Sequence, residues 1–247
     1  MSGRLVFITG ASSGIGQALA ARYAQAGWRL ALVARRTEQT QAWLAELGLD
    51  VQRARVYRAD VADPDSIIQA AQACINEQGL PDVVIASAGI SVGMDSAERE
   101  DLRVMQDTFA TNNVGLAATF HPFLRLMRQR QSGTLVGIAS VAAIRGLPGH
   151  GAYCESLRGE CLRQNVKVVT LLPGYIATPL TAQNPYSMPF LMPVAAFAER
   201  AFQAIEAGSS YRVIPWQMGV LAKVMRLLPN AIFDRLVGSR GRKPRRA

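Results

Sequence analysis

The chain has 247 residues, 49% of them hydrophobic and 18% charged, with 27 Lys+Arg against 18 Asp+Glu. At about 100–200 residues per domain this length holds one large domain or two small ones, and the apolar half excludes global disorder. With 21 Gly and three Cys, the chain is neither collagen-like nor a disulfide scaffold.

The cysteines, Cys74, Cys154 and Cys161, are odd in number and form no CxxC. With only His121 and His150 to join them, they do not build a typical zinc site, so no metal is expected. They read as reduced thiols, and no basic-then-apolar leader precedes the first apolar run, so the expected location is the cytoplasm. The net charge of +9 is uneven: Arg235, Arg240, Arg242, Lys243, Arg245 and Arg246 follow one another with no acid after Asp234. Without those six, the remaining 21 basic and 18 acidic residues leave +3, which does not suggest a nucleic-acid binder.

In chain order, strands are expected at Leu5–Thr9, Leu30–Ala34, Arg55–Tyr57, Val83–Ser87, Thr134–Ser140, Val166–Leu172 and Tyr211–Pro215. Several are continuous apolar runs, as in a parallel sheet covered on both faces. Helices are expected between them at Gly14–Gln25, Thr37–Leu47, Pro64–Glu77, about Asp101 to Gln129, and Glu199–Ala207. Asp63-Pro64 supplies an N-cap and a first-turn proline. The alternation predicts a single-domain α/β fold, a doubly wound parallel sheet of the Rossmann type with about seven strands. That body would span residues 1–215.

Within it, Val168 to Ala198 carries no charge but is broken by Pro173, Pro179, Pro185, Pro189 and Pro193, which excludes a continuous spanning helix. Residues 179–198 read instead as an apolar substrate loop, with Tyr186, Met188, Phe190, Leu191 and Met192 in it. A structural loop packed on the sheet would have the same composition. Residues 144–150 link the fifth strand to the next helix and are expected to border the substrate, with His150 an ordinary loop residue. Residues 216–236 read as one amphipathic helix carrying Val220, Leu221, Val224, Leu227 and Leu228, and 237–247 as a solvated basic segment. Together these fit either weak contact with an anionic membrane at its inner face or packing in the protein or an oligomer.

The first strand runs into Thr9-Gly10-Ala11-Ser12-Ser13-Gly14-Ile15-Gly16 and then a helix. Glycines permit a tight turn and close backbone approach, and the helix start presents free N–H groups, so a pyrophosphate is the expected ligand. The second strand ends at Val33-Ala34-Arg35-Arg36, without the carboxylate that binds a ribose 2′-hydroxyl. Guanidinium forks suit a 2′-phosphate, which predicts NADP(H).

These residues resemble the short-chain dehydrogenase/reductase family. The turn at 9–16 matches its TGxxxGxG motif, and Asp60-Val61 is similar to its adenine-contacting pair. Ser87-Ala88-Gly89 resembles the end of its NNAG motif, with Ala86 and Ser87 replacing both asparagines. Asn112-Asn113-Val114-Gly115 fits NxxG, and Ser140 with Tyr153 thirteen residues on resembles the family's catalytic serine and tyrosine. Pro173-Gly174-Tyr175-Ile176-Ala177-Thr178 is similar to PGxxxT, through which Pro173, Gly174, Ile176 and Thr178 would contact the nicotinamide end. The resemblance implies hydride transfer between a nicotinamide and a carbonyl or secondary-alcohol carbon. Tyr153 would move the proton, Ser140 would hold the oxygen and Asn112 a relay water. It also implies a small-molecule substrate, apolar or bulky if the 179–198 loop lines its site, and a homo-oligomer.

One departure stands out. The family places a lysine four residues after the tyrosine, where Leu157 stands here, and the lysines of this chain are Lys167, Lys223 and Lys243. Pro173 follows Tyr153 by 20 residues, roughly ten fewer than in the family, or about 15 Å of helix. The simplest account is a missing segment after Cys154, whether absent from the protein or only from the sequence as written. Arg158 lies about 100° further round the helix, a poor substitute. The expected function is therefore an NADP(H)-dependent oxidoreductase. The alternative is a catalytically impaired NADP(H)-binding sensor or partner.

Overall fold

A computed structural model describes residues 3–144, 150–182 and 184–237. The expected substrate-bordering residues 145–149 and the basic segment from 238 lie outside them. Seven parallel strands form one sheet in the order β3-β2-β1-β4-β5-β6-β9. They are β1 (Leu5–Thr9), β2 (Arg29–Ala34), β3 (Ala54–Arg58), β4 (Val83–Ala86), β5 (Gly133–Ile138), β6 (Val166–Pro173) and β9 (Tyr211–Ile214). The remaining two, β7 (Ile176–Ala177) and β8 (Met192–Pro193), make a separate two-stranded ladder that brings together the ends of the segment between them. Of the loop expected at 179–198, the last five residues belong instead to a helix beginning at Val194. The order reverses between β1 and β4, which opens a crevice at the carboxyl ends of those strands.

Every expected strand is present: the apolar runs of β1, β2, β4 and β6 are covered on both faces, whereas the edge strands β3 and β9 carry arginines and are only partly buried. One layer packs α1 (Gly14–Gln25) and α7 (Val194–Glu206) over Val6, Ile8, Leu30, Leu32, Val169 and Leu171. The other packs α3 (Pro64–Gln78), α5 (Gly115–Arg130) and α6 (His150–Cys161) over Phe7, Val84, Leu135 and Val168. Between β2 and β3 lies α2 (Thr37–Glu46). Asp63 caps α3 as expected, its carboxylate accepting from the N–H groups of Asp65 (3.0 Å) and Ser66 (3.4 Å).

Three expectations on helices need correction. The long helix from Asp101 is interrupted: α4 (Asp101–Phe109) passes through a π-helical turn at Ala110–Val114 before α5. The last body helix starts at Val194 rather than Glu199, because Pro193 takes the N-cap with φ −57° and ψ 138°. The expected single helix 216–236 is two, α8 (Trp216–Leu227) and α9 (Asn230–Val237). Leu228 is extended, with ψ 135°. It precedes Pro229, and a residue before proline is pushed out of the helical region.

Among the described residues no helix is long and apolar enough to cross a membrane. All three cysteines are free and buried. Burial pushes the Cys74 and Cys154 thiols up to about 12. Unfolding returns each to about 9, so above that pH the unfolded chain binds fewer protons than the folded one. Stability is then expected to fall by about 1.4 kcal/mol per thiol per pH unit between about 9 and 12. Urea midpoints between pH 8 and 10.5 test this: Cys74→Ala with Cys154→Ala should flatten the alkaline slope, and an unchanged slope would refute it.

Candidate active site

The turn after β1 is held from three sides. Thr9 Oγ1 accepts from the N–H groups of Ser87 (3.1 Å) and Ala88 (3.3 Å), which ties it to the end of β4. Ala11 N–H donates to the Val33 carbonyl at 3.2 Å, tying it to β2. Gly10, at φ +68°, lies so close to β4 that a Cβ there would sit 2.8 Å from Ala88 Cα. Gly16 faces the Gly10 carbonyl with no room for a side chain. Gly14 opens α1 at φ +58°, with Thr178 Cβ at 3.5 Å from where its own would be. The PGxxxT-like segment therefore meets the glycine turn, as the two motifs require if one ligand spans them.

Around this turn, Ser12 and Ile15 are half-buried and Ser13 is exposed. Ser13 is the extended N-cap of α1, and its side chain makes no capping hydrogen bond. Arg35 and Arg36 are both exposed beyond the end of β2. The Arg35 guanidinium stands 3.6 Å from the Asp60 carboxylate, so both sit at one edge of the crevice. Asp60 also accepts from Ala62 N–H at 3.0 Å, which fixes the segment after β3. Val61 is buried, and its backbone lies so close to Gly115 that a Cβ there would be 3.0 Å from the Val61 carbonyl carbon. Ser87 Oγ is buried without a hydrogen-bond partner among the described residues.

Asn112 lies within the π-helical turn. Its Nδ2 donates to the Ile90 carbonyl and its Oδ1 accepts from Ile90 N–H, each at 2.8 Å. Gly89 passes beneath it, 3.3 Å from Asn112 Oδ1 to where a Cβ would be. The amide thus clamps the chain after β4 against the helix. Such turns recur at functional sites because the extra residue re-aims side chains.

Ser140 stands two residues past the end of β5, not within it, although Ala139 N–H still donates to Leu171 at 2.8 Å. Its Oγ accepts from Ala142 N–H at 3.2 Å and opens the 3₁₀ turn Val141–Ile144. Tyr153 is in the first turn of α6 and 39% exposed. Burial, chiefly, raises its phenol above the ordinary value; Cys154, Glu160 and Cys161 act in the same direction and Arg128 opposes them. No hydrogen bond joins Tyr153 to Ser140 or Asn112 among the described residues.

The position four residues on is a core position. Leu157 is 3% exposed and belongs to the cluster with Leu135, Val166 and Val168. Cys154, on the same stripe, packs onto Gly137, with Sγ 2.6 Å from where a Cβ would be. Arg158 is engaged elsewhere: its guanidinium donates twice to Glu155, at 2.7 and 2.5 Å. Glu155 in turn accepts from Thr170 Oγ1 at 3.3 Å. Neither residue supplies a cation to the phenol.

Beside Thr178 lies an apolar cavity of about 360 Å³, lined by Ala177, Thr178, Pro179, Thr181, Met188 and Leu191 among others. Thr181 Oγ1 shapes its wall, donating to the Ile176 carbonyl at 2.6 Å and accepting from Thr178 N–H at 3.1 Å. Thr181 and Ile90 are structural partners of the site that the motifs do not mark, and Thr9 opens the TGxxxGxG match but takes no role of its own from it. A threonine three residues after Thr178 is a weak turn signal, and Ile90 acts only through its backbone.

Residues 4–187 match the family model described as short chain dehydrogenase. The chain belongs to this family. It is 35% identical over 244 residues to an uncharacterized oxidoreductase of Myxococcus xanthus, covering 95% of this chain and 96% of that one. A D-threitol dehydrogenase of Mycolicibacterium smegmatis is 34% identical over 190 residues, 73% of each chain. Among solved structures, a short-chain dehydrogenase from Streptomyces avermitilis superposes with a TM-score of 0.77 at 22% identity, over 96% of both chains. L-sorbose reductase from Gluconobacter frateurii, solved with NADPH and L-sorbose, gives 0.73 at 22% identity over 87% of this chain and 95% of that one. These structures share the fold, and the sequence match carries the membership.

Proposed function

We propose that this oxidoreductase uses NADP(H) to interconvert a carbonyl and a secondary alcohol on a small, apolar or bulky substrate. The observation that carries the reading is the pair Arg35–Arg36, both exposed at the end of β2, with Arg35 beside Asp60 at the crevice edge. The site fits a dinucleotide: the glycines let the turn pass close against Ala88 and Thr178, the Ser13 side chain does not cap the start of α1, and the buried Ser87 hydroxyl lacks a partner among the described residues. When bound, the nicotinamide would supply or accept the hydride. Gly10, Ser12, Ser13 and the start of α1 would hold the pyrophosphate, Arg35 and Arg36 the 2′-phosphate, and Asp60 and Val61 the adenine. Ser87, Ala88 and Gly89 would line the crevice, with Pro173, Gly174, Ile176 and Thr178 at the nicotinamide end.

Tyr153 would donate the proton. Burial holds the phenol above its usual value, so it keeps its proton through neutral pH, and no lysine four residues on lowers it. The Ser140 hydroxyl would hold the substrate oxygen, and Asn112 would set the helix turn that faces it. The apolar cavity beside Thr178 supports an apolar substrate portion. The three buried free thiols suit a reducing cytoplasm, and a homo-oligomer is expected from the family.

Binding and turnover test the reading separately. Fluorescence titration should give a lower Kd for NADPH than for NADH. Arg35→Asp with Arg36→Ser should weaken NADPH about tenfold or more while leaving NADH within about threefold, since a hydrogen bond to a charged group contributes ~1.5–3 kcal/mol. NADH binding as tightly as NADPH would refute the cofactor assignment. Tyr153→Phe should lower NADPH oxidation with a carbonyl panel by about 100-fold with NADPH affinity unchanged. Tight NADPH binding with no turnover in the unaltered protein would instead make it a nucleotide-binding protein that has lost catalysis.

A further inference from the structure

The outward face of α8 is apolar. Its inward face packs through Gly219, whose Cβ position is 3.1 Å from Val213 Cβ, and through Met218, 2.7 Å from that of Gly174. On the opposite side, Trp216, Val220, Val224 and Leu227 follow at four- and three-residue spacing, and Trp216 is 67% and Leu227 84% exposed. Ile232 on α9 is also exposed. A buried helix would not need this face, and a solvated one would carry polar residues on it. Lys223 and Arg226 flank the stripe and are exposed. The sequence then adds Arg235, Arg240, Arg242, Lys243, Arg245 and Arg246, with no acid after Asp234.

We infer that this face docks on an anionic lipid bilayer, with the α8 stripe inserted at the headgroup level and Lys223 and Arg226 against lipid phosphates. Charge decides against a second copy of the chain. A symmetric pairing through the stripe would bring Lys223 and Arg226 against their own counterparts, whereas an anionic surface attracts both of them. Tryptophan at the edge of the stripe is the aromatic type that favours the membrane interface. Apolar insertion and basic attraction together give reversible binding of the kind expected for an interfacial helix.

The test is flotation of the full chain with vesicles of phosphatidylcholine containing phosphatidylglycerol, at low and at high salt. The protein should float with the anionic vesicles, several-fold less with phosphatidylcholine alone, and less at high salt. Brominated lipid should quench the fluorescence of Trp216, because Trp28 is buried and Trp43 half-buried. Val220→Glu with Val224→Glu should cut binding by about tenfold or more while NADPH affinity and the melting temperature stay unchanged. Leu227→Gln, at a more exposed site, should act in the same direction and guards against a folding defect in the first variant. Failure to bind anionic vesicles would overturn the inference, as would binding that survives both variants. So would a dimer that dissociates in these variants while the unaltered protein ignores vesicles, since a second copy would then cover the face.

Discussion

Leu157→Lys, the substitution that writes the family's missing lysine back into the sequence, is expected to destabilise the fold rather than restore the cation. Leu157 is 3% exposed among Leu135, Val166 and Val168, so the new ammonium would lie in a core without a partner. Losing the leucine contacts and burying a charge together should cost at least about 3 kcal/mol, or roughly 6–12 °C in Tm for a domain of this size. The lysine would lose its proton on folding, so the unfolded chain would bind more protons and stability should rise as pH increases toward 10. Leu157→Met, which keeps the volume, should cost less than about 1.5 kcal/mol. Thermal melts at pH 6 and 9.5 check both. A Leu157→Lys protein as stable as its parent, with faster turnover, would mean that α6 can rotate to place residue 157 beside Tyr153.

The direction of α6 explains what the sequence did and did not reveal about the site. Cys154, Leu157 and Cys161 sit at i, i+3 and i+7 and are all buried, so the core stripe of this helix was readable from spacing. At 100° per residue, Tyr153 falls at the edge of that stripe, with Glu160 on its own side and Arg158 beyond the other edge. The family resemblance places a lysine at the position of Leu157, and the core packing of Leu157 leaves no room for that role in this helix. The nucleotide turn was legible because its glycines answer to backbone geometry, which one sequence states directly. The π-helical turn at Asn112 was not, since one extra residue shifts the helical phase without changing residue types. The break before α9 was available in Pro229 and outweighed by the apolar spacing on either side. Partners such as Thr9 and Ile90 join segments about 80 and 20 residues apart in the chain, a proximity that only the sheet order creates.

Gly10→Ala should have the second large effect, and it separates steric fit from mere conformational preference. Two costs meet at this position. The φ of +68° strains any L side chain, and the added Cβ would sit 2.8 Å from Ala88 Cα and 2.9 Å from Ala88 N. Backbone atoms cannot swing aside as a side chain can, so the turn must move away from β4. That movement would pull on the Thr9 Oγ1 bonds to Ser87 and Ala88. Strain and overpacking each contribute about 1–3 kcal/mol, giving an expected loss of about 2–6 kcal/mol. Because the displaced turn would lose hydrogen bonds to the pyrophosphate, each ~1.5–3 kcal/mol, NADPH affinity should fall by about tenfold or more. Gly14→Ala shares the positive φ, +58°, but its Cβ would meet Thr178 at an ordinary 3.5 Å. It should therefore lose only the conformational part, about 1–2 kcal/mol. Urea denaturation and NADPH titration of the two variants decide the matter. Equal losses would mean that backbone conformation alone dictates glycine here, and that the contact between the turn and the end of β4 does not hold the site in place.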